Sequence, residues 1–162
     1  MTKLNINQPS KDRSAEKPRI LVAPLDWGLG HATRCIPIIR ELLAQGAEVW
    51  LAGEGRQQEL LQQEFPDLPF LPLAGYKVKY APSGIGLILN ILFQIRRIIY
   101  AIKKENEWLK KMILEYRFDG VISDNRYGLH NPSITCVFIT HQLNIKSPLG
   151  KWTERMLQRR IY

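Results

Sequence analysis

The stretch RILVAPLDWGLGHATR, residues 19–34, decides how the rest of the chain is read. Ile20, Leu21, Val22 and Ala23 run apolar without alternation. Such a run predicts a strand over 20–24 that is buried on both faces, as in a parallel sheet. Beyond the glycines, Ile36, Ile39, Leu42 and Leu43 recur at helical spacing, which predicts a helix over 32–45 stopped by Gly46. A buried strand, a glycine-bearing turn and an amphipathic helix in that order make one βα unit.

The same alternation continues outward. A strand is predicted over 47–52, a polar helix over 54–64 and a short strand over 70–73 between prolines, followed by a loop over 74–83. From 84 to 116 the chain reads as one helix or two, with Ile88, Ile91, Leu92, Ile95, Ile98, Ile99 and Ile102 at a period near 3.5. A fourth strand begins over 121–123, a fifth spans 134–140, and an amphipathic helix over 148–160 ends the pattern. The class is α/β with a parallel sheet.

A chain of 162 residues leaves room for one domain. Its 45% hydrophobic and 23% charged residues exclude collagenous, wholly disordered and disulfide-scaffold classes. Residues 1–18 are polar and unpatterned, a flexible tail without the apolar run of a signal peptide, so a cytoplasmic location is expected. Cys35 and Cys136 lie in apolar segments without metal-ligand spacing and are expected as buried thiols. No metal or cofactor is expected.

The net charge of +8 is unevenly spread. Up to Gly75 there are 8 basic and 9 acidic residues; from Tyr76 onward there are 15 and 6, so the second half carries the whole excess. That half should meet an anionic partner. With no zinc finger, RNP-like motif or arginine-rich arm, no nucleic acid is expected, and an anionic membrane surface ranks ahead of it. The uncharged run 85–95 is far shorter than the roughly 20 residues of a spanning helix. The run and the Arg96, Arg97, Lys103, Lys104, Lys110 and Lys111 that follow read either as an interfacial anchor or as a sheet-covering helix with a solvated basic side.

The turn from Asp26 through Trp27, Gly28, Leu29, Gly30, His31, Ala32 and Thr33 to Arg34 is the most informative for chemistry. A glycine-rich turn leading into a helix exposes backbone N–H groups at the positive helix end, which suits phosphate or another anion. As a dinucleotide fingerprint it is poor, because Thr33 stands where the third glycine should be. A purely structural tight turn remains the alternative. His31 sits where open α/β sheets place ligands and can act as a general base, or it can cap its own loop. Asp26 can pair with His31 or cap the loop. Farther on, Asp124, Asn125, Arg126 and Tyr127 put a carboxylate, an amide, a guanidinium and a phenol on one turn. That set suits hydroxyl or phosphate recognition, or Asp124 and Asn125 serve as turn formers. His141 and Gln142 follow the fifth strand and are expected at the same sheet edge as His31.

The segment GLGHATRC resembles the GxGHxxR loop that opens GT-B glycosyltransferases of the family-28 type and related nucleotide-sugar hydrolases. The stretch 119–144 also resembles the end of that family's N-terminal domain, with Asp119-Gly120-Val121-Ile122 as a strand and His141-Gln142-Leu143-Asn144 as its closing turn. It departs from the pattern in that its second loop is not glycine-rich and no helix is predicted between its last two strands. The resemblance implies that 19–162 form a Rossmann-like three-layer domain, the acceptor-side half of a GT-B fold, with the C-terminal donor-binding domain absent. It implies metal-independent transfer of a sugar from a nucleotide-sugar donor to an acceptor hydroxyl, a lipid-linked acceptor included. His31 would be the base. Asp26, Trp27, Gly28, Gly30, Thr33, Arg34, Asp124, Asn125, Arg126, Tyr127, His141 and Gln142 would bind substrate, Trp27 by stacking on a sugar. Arg96, Arg97, Lys103 and Lys104 would touch an anionic membrane, on its inner face. A second domain or a second chain would complete the cleft, and residues 1–162 alone are expected to be inactive. A nucleotide-sugar hydrolase and a non-catalytic membrane-recruiting subunit of a two-chain transferase are the alternatives.

Overall fold

The computed structural model describes residues 16–76 and 87–140, the side chains of residues 87–95 excepted. Eight elements follow one another: β1 (Arg19–Pro24), α1 (Leu29–Ala44), β2 (Glu48–Gly53), α2 (Gly55–Glu64), β3 (Phe70–Pro72), α3 (Leu87–Tyr116), β4 (Gly120–Asp124) and β5 (Thr135–Ile139). The five strands form one sheet in the order β3-β2-β1-β4-β5, and every pairing is parallel. Its central strand β1 sets the register on both sides, with Val22 opposite Leu51 of β2 and Pro24 opposite Asp124 of β4.

Successive side chains of β1 point to opposite faces, and each face has its own core. Val22 joins Ala32, Cys35, Ile39, Val49, Leu51, Leu61 and Phe65, which seals α1 and α2 onto one face. Leu21 and Ala23 join Leu71, Leu109, Phe118, Val121 and Leu129 on the face covered by α3. Near the C-terminal end of α3, Trp50, Tyr116 and Phe118 stack with centroids 4.7 to 6.0 Å apart. The fold is therefore the expected three-layer Rossmann-like α/β domain, and full burial of each aliphatic side chain contributes about 1.5–3 kcal/mol.

Two features differ from the sequence reading. Helix α1 begins at Leu29 rather than 32, because Gly28 turns the chain in a single residue at φ +84°. Only glycine adopts that angle without strain, so Gly30 and His31 enter the first helical turn. Cys136 is exposed, although Cys35 is buried as expected. Residues 125–134 join β4 to β5 through turns instead of a helix, so apart from the Tyr127 ring on Phe138 that connection supplies little cover for the edge strand. Val137 and Phe138 are exposed beside Cys136 for the same reason.

The strand order puts a topological switch point at β1 and β4. From β1 the chain goes to β2 on one side, and β4 then pairs on the other side. The loops leaving their carboxyl ends diverge there, and open α/β sheets bind ligands in that crevice. Among the described residues no helix is long and apolar enough to cross a membrane. The predicted helix over 148–160 and residues 1–15 lie outside the described residues.

Candidate functional site

The loop after β1 is held at both ends. Leu25 donates its N–H to the carbonyl of Asp124 at 2.9 Å, and Gly28 N–H closes a tight turn onto Asp26 O at 3.2 Å. From α2, the buried Gln57 amide donates to the carbonyls of Leu25 (3.3 Å) and Gly28 (3.2 Å). No side chain caps the first turn of α1, and that turn carries no acidic residue. Its N–H groups and the positive end of the helix dipole are thus left without a side-chain cap. Thr33 is turned back on the helix, its hydroxyl donating to Gly30 O at 3.1 Å.

His31 and Asp124 meet across the switch point. The ring Nδ1 lies 3.0 Å from Asp124 Oδ2, with the side chains 10% and 1% exposed. Arg34, three residues along α1, places Nη2 2.8 Å from the same Nδ1 and 3.0 Å from the same Oδ2. One protonation state cannot satisfy every contact, because a guanidinium only donates. With the proton on Nδ1, the ring donates to Asp124 and Nε2 carries the lone pair. With Nδ1 unprotonated, it accepts from Arg34 and the neutral ring keeps its proton on Nε2. Position and tautomer of His31 are thus governed by two neighbours of opposite charge.

The residues after Asp124 are built into the protein. Asn125 adopts φ +58°, a left-handed conformation that asparagine tolerates, and donates its N–H to Ile139 O at 2.9 Å. Its buried Oδ1 has no hydrogen-bond partner among the described residues. Arg126 is wholly buried, and all three of its nitrogens donate to protein acceptors: Nε to Glu105 Oε1, Nη1 to Pro24 O and Nη2 to Ala74 O. The Tyr127 ring packs on Phe138 at 5.1 Å. Asp26 is half-buried and accepts the Tyr76 N–H at 3.3 Å. Trp27 stands 44% exposed at the rim, with Leu29 exposed beside it.

The structure therefore gathers Asp26, Trp27, Gly28, Gly30, His31, Thr33, Arg34, Asp124, Asn125, Arg126 and Tyr127 at the carboxyl edge of β1 and β4. His141 and Gln142 lie outside the described residues. Arg96, Arg97, Lys103 and Lys104 are exposed along α3, together with Tyr100, Lys110 and Lys111. Sequence reasoning passed over Gln57, Tyr76, Glu105 and Asn106. For Glu105 a signal exists: it falls in register with Ile98, Ile102, Leu109 and Met112, and an acid inside an apolar helical stripe calls for a buried partner.

No family model matches the chain. A Methanosarcina mazei protein described as an uncharacterized glycosyltransferase is 29% identical over 115 residues, covering 67% of this chain and 28% of that protein. The chain thus spans under a third of that relative's length. Among solved structures, the glycosyltransferase of kitacinnamycin superposes with a TM-score of 0.55 at 19% identity, over 89% of this chain and 34% of that one. The Streptomyces sp. SF2575 glycosyltransferase SsfS6 does so with 0.52 at 20% identity, over 82% and 41%. The fold is that of one GT-B half. At these identities the superpositions speak for the fold alone. Among the described residues of that half, the switch-point loops bring His31 and Asp124 into contact.

Proposed function

We propose that this chain is the acceptor-side half of a glycosyltransferase that moves a sugar from a nucleotide-sugar donor to an acceptor hydroxyl, with His31 as general base. The observation that carries this reading is the buried contact between His31 and Asp124 at the switch point. Asp124 holds the ring with its proton on Nδ1, so Nε2 takes the acceptor proton as the oxygen attacks the anomeric carbon; the bond from that carbon to the donor's phosphate oxygen breaks, and the nucleoside phosphate leaves with the electron pair. The carboxylate then stabilises the imidazolium that forms. Gly28, Gly30 and the uncapped start of α1 hold an anionic or polyhydroxyl group, and Trp27 offers a ring face to a sugar. Arg34 competes with His31 for Asp124 and is placed to turn toward a bound anion. Arg126 acts by holding the loops, since its nitrogens are spent on the protein. The donor nucleotide is held by a second domain or chain, in keeping with the small share of the Methanosarcina mazei relative that this chain spans.

His31→Ala tests the base. In the assembly that turns a nucleotide sugar over, kcat should fall by roughly 10²- to 10⁴-fold with thermal stability little changed. Turnover kept within a few-fold, together with a sharp loss of stability, would make His31 a loop cap instead. Release of free sugar in the absence of any acceptor would identify hydrolysis.

The exposed face of α3 is the proposed contact with an anionic membrane, through Arg96, Arg97, Lys103 and Lys104. Vesicles containing phosphatidylglycerol should bind the chain at low salt, and added salt should release it as screening grows. Replacing those four residues by Gln should reduce binding without unfolding. Equal binding to neutral and anionic vesicles, or none to either, would sink this contact.

A further inference from the structure

We propose that Glu105 of α3 is a positioning residue for the His31–Asp124 pair, a statement that rests on reading that pair as the reactive one. Glu105 is 3% exposed, and its carboxylate accepts three hydrogen bonds. Oε1 takes Arg126 Nε; Oε2 takes the Tyr76 hydroxyl at 2.7 Å and the Gly128 N–H at 2.8 Å. The Tyr76 hydroxyl in turn accepts the Tyr127 N–H at 2.8 Å. One carboxylate thereby fixes residues 126–128 of the turn that follows Asp124.

It also reaches the strand that leads to His31. Arg126, held by Glu105, donates to Pro24 O at the end of β1 and to Ala74 O in the loop after β3. Pro24 and Asp124 are register partners, so the guanidinium ties together the two strand ends from which His31 and Asp124 depart. Tyr76 extends the tie to Asp26, whose Oδ1 accepts its N–H. The next residue of α3 reinforces the clamp: Asn106 Nδ2 donates to Gly128 O at 3.0 Å and His130 O at 2.7 Å. Gly128 lies so close to the helix that a Cβ there would sit 2.4 Å from Ile102 O and 2.7 Å from Glu105 Cβ.

The charge matters as much as the geometry. Glu105 and Asp124 are the two buried carboxylates among the described residues, and Arg126 is a buried cation two positions from Asp124. While Glu105 neutralises Arg126, the Asp124 carboxylate serves His31 and Arg34. Without Glu105, an uncompensated buried guanidinium is left on the tie between the two strand ends, and the tie loosens. A reactive pair must hold its geometry within about 0.5 Å, so loosening either strand end is felt at the 3.0 Å contact.

The experiment reads His31 directly, by long-range ¹H–¹⁵N correlation of the imidazole rings in the ¹⁵N-labelled 162-residue chain under conditions where the rings are neutral. Glu105→Gln should mix the neutral tautomers of His31. Glu107→Gln, which removes an exposed carboxylate from the same helix, should leave the tautomer unchanged. Because Glu105→Gln leaves a buried cation and can unfold the chain, Glu105→Met/Arg126→Met is the decisive partner variant. An apolar pair of similar volume should keep the fold, and the His31 signature should still be disturbed because the tie between strand ends is gone. A folded Glu105→Gln or double-Met chain with the wild-type His31 tautomer would overturn the proposal. A wild-type ring whose neutral form carries its proton on Nε2 would instead overturn the base assignment, and whether loss of Glu105 changes the tautomer would still be decided.

Discussion

The two edges of the sheet offer opposite kinds of concavity. At the amino edge, Glu16, Lys17, Pro18, Arg19, Glu48, Arg117 and Asp119 line a cleft of about 520 Å³. Its charges answer one another at the surface. Arg19 faces both carboxylate oxygens of Glu48 at 2.9 Å, its Nη1 donates to Tyr116 O, and its own N–H goes to Asp119. At the carboxyl edge His31 and Asp124 are buried, and His31 and the more exposed Arg34 contend for that one carboxylate. The first edge offers a cleft among the described residues, and the second offers the more reactive grouping. An ion pair as solvated as Arg19 and Glu48 has little left to give a ligand. Crowded groups that cannot all be satisfied at once can respond to one. Parallel topology explains why the latter lie at the carboxyl end, since every strand of this sheet delivers its following loop there.

The largest contrast should be seen with thiols, because Cys35 lies directly beneath the carboxyl edge. Burial, and then the Asp124 charge, push its thiol up to about 12, against a smaller opposing pull from Arg34. At pH 8 only about one thiol in 10⁴ is then ionised. Iodoacetamide should therefore modify the exposed Cys136 quickly and Cys35 at least about 10³-fold more slowly. Asp124→Asn removes one of the charges that raise the Cys35 thiol, so its labelling should accelerate several-fold, whereas Glu48→Gln at the amino edge should leave it alone. The same shift has a stability sign. Between pH 9 and about 12 the unfolded chain releases the Cys35 proton and the folded chain retains it, so stability should decline across that window. Cys35→Val should flatten the decline. Comparable labelling of both thiols in the folded chain would show that the carboxyl edge is open rather than packed.

Much of this was legible in the sequence, and the parts that were not share a cause. The buried run of β1, the periodicity of α1 and the apolar stripe of α3 are local signals, and local periodicity locates elements well. Asp26, Trp27 and His31 stood out because glycines flank them. Asp124 stood out as an acid closing an apolar strand. Their assembly needed strand order, which no local pattern contains: β4 is separated from β1 by two strands in sequence and lies next to it in space. Cys136 was misread because an apolar strand looks buried until something is required to cover it, and the connection 125–134 supplies no helix to do so. Glu105 escaped notice among the eight other charged residues of a helix whose solvated side dominated the reading. Its phase within the stripe was the relevant datum, and its partner Arg126 lies 21 residues away.

The smallest effect should come from the amino edge, and its pH dependence distinguishes a solvated ion pair from a site. Hydrogen bonds from Arg19 and then from Trp50 hold the Glu48 carboxyl below its ordinary value. A depressed acid contributes stability that is present above its unfolded value near 4.5 and is lost as pH falls through the lower folded value. Both Glu48 and Arg19 are about a third exposed, so solvent screens the pair and its worth at neutral pH is about 0.2–1 kcal/mol. Glu48→Gln keeps an acceptor for the Trp50 indole N–H, which lies 2.7 Å from the carboxylate, and removes only the charge. Urea denaturation should show a loss within that range at pH 7, shrinking toward zero as pH drops below about 4 and diminishing in high salt. A loss of several kcal/mol, or one that persists unchanged at low pH, would mean that the amino edge holds a desolvated charge cluster after all, and the contrast between the two edges would fail.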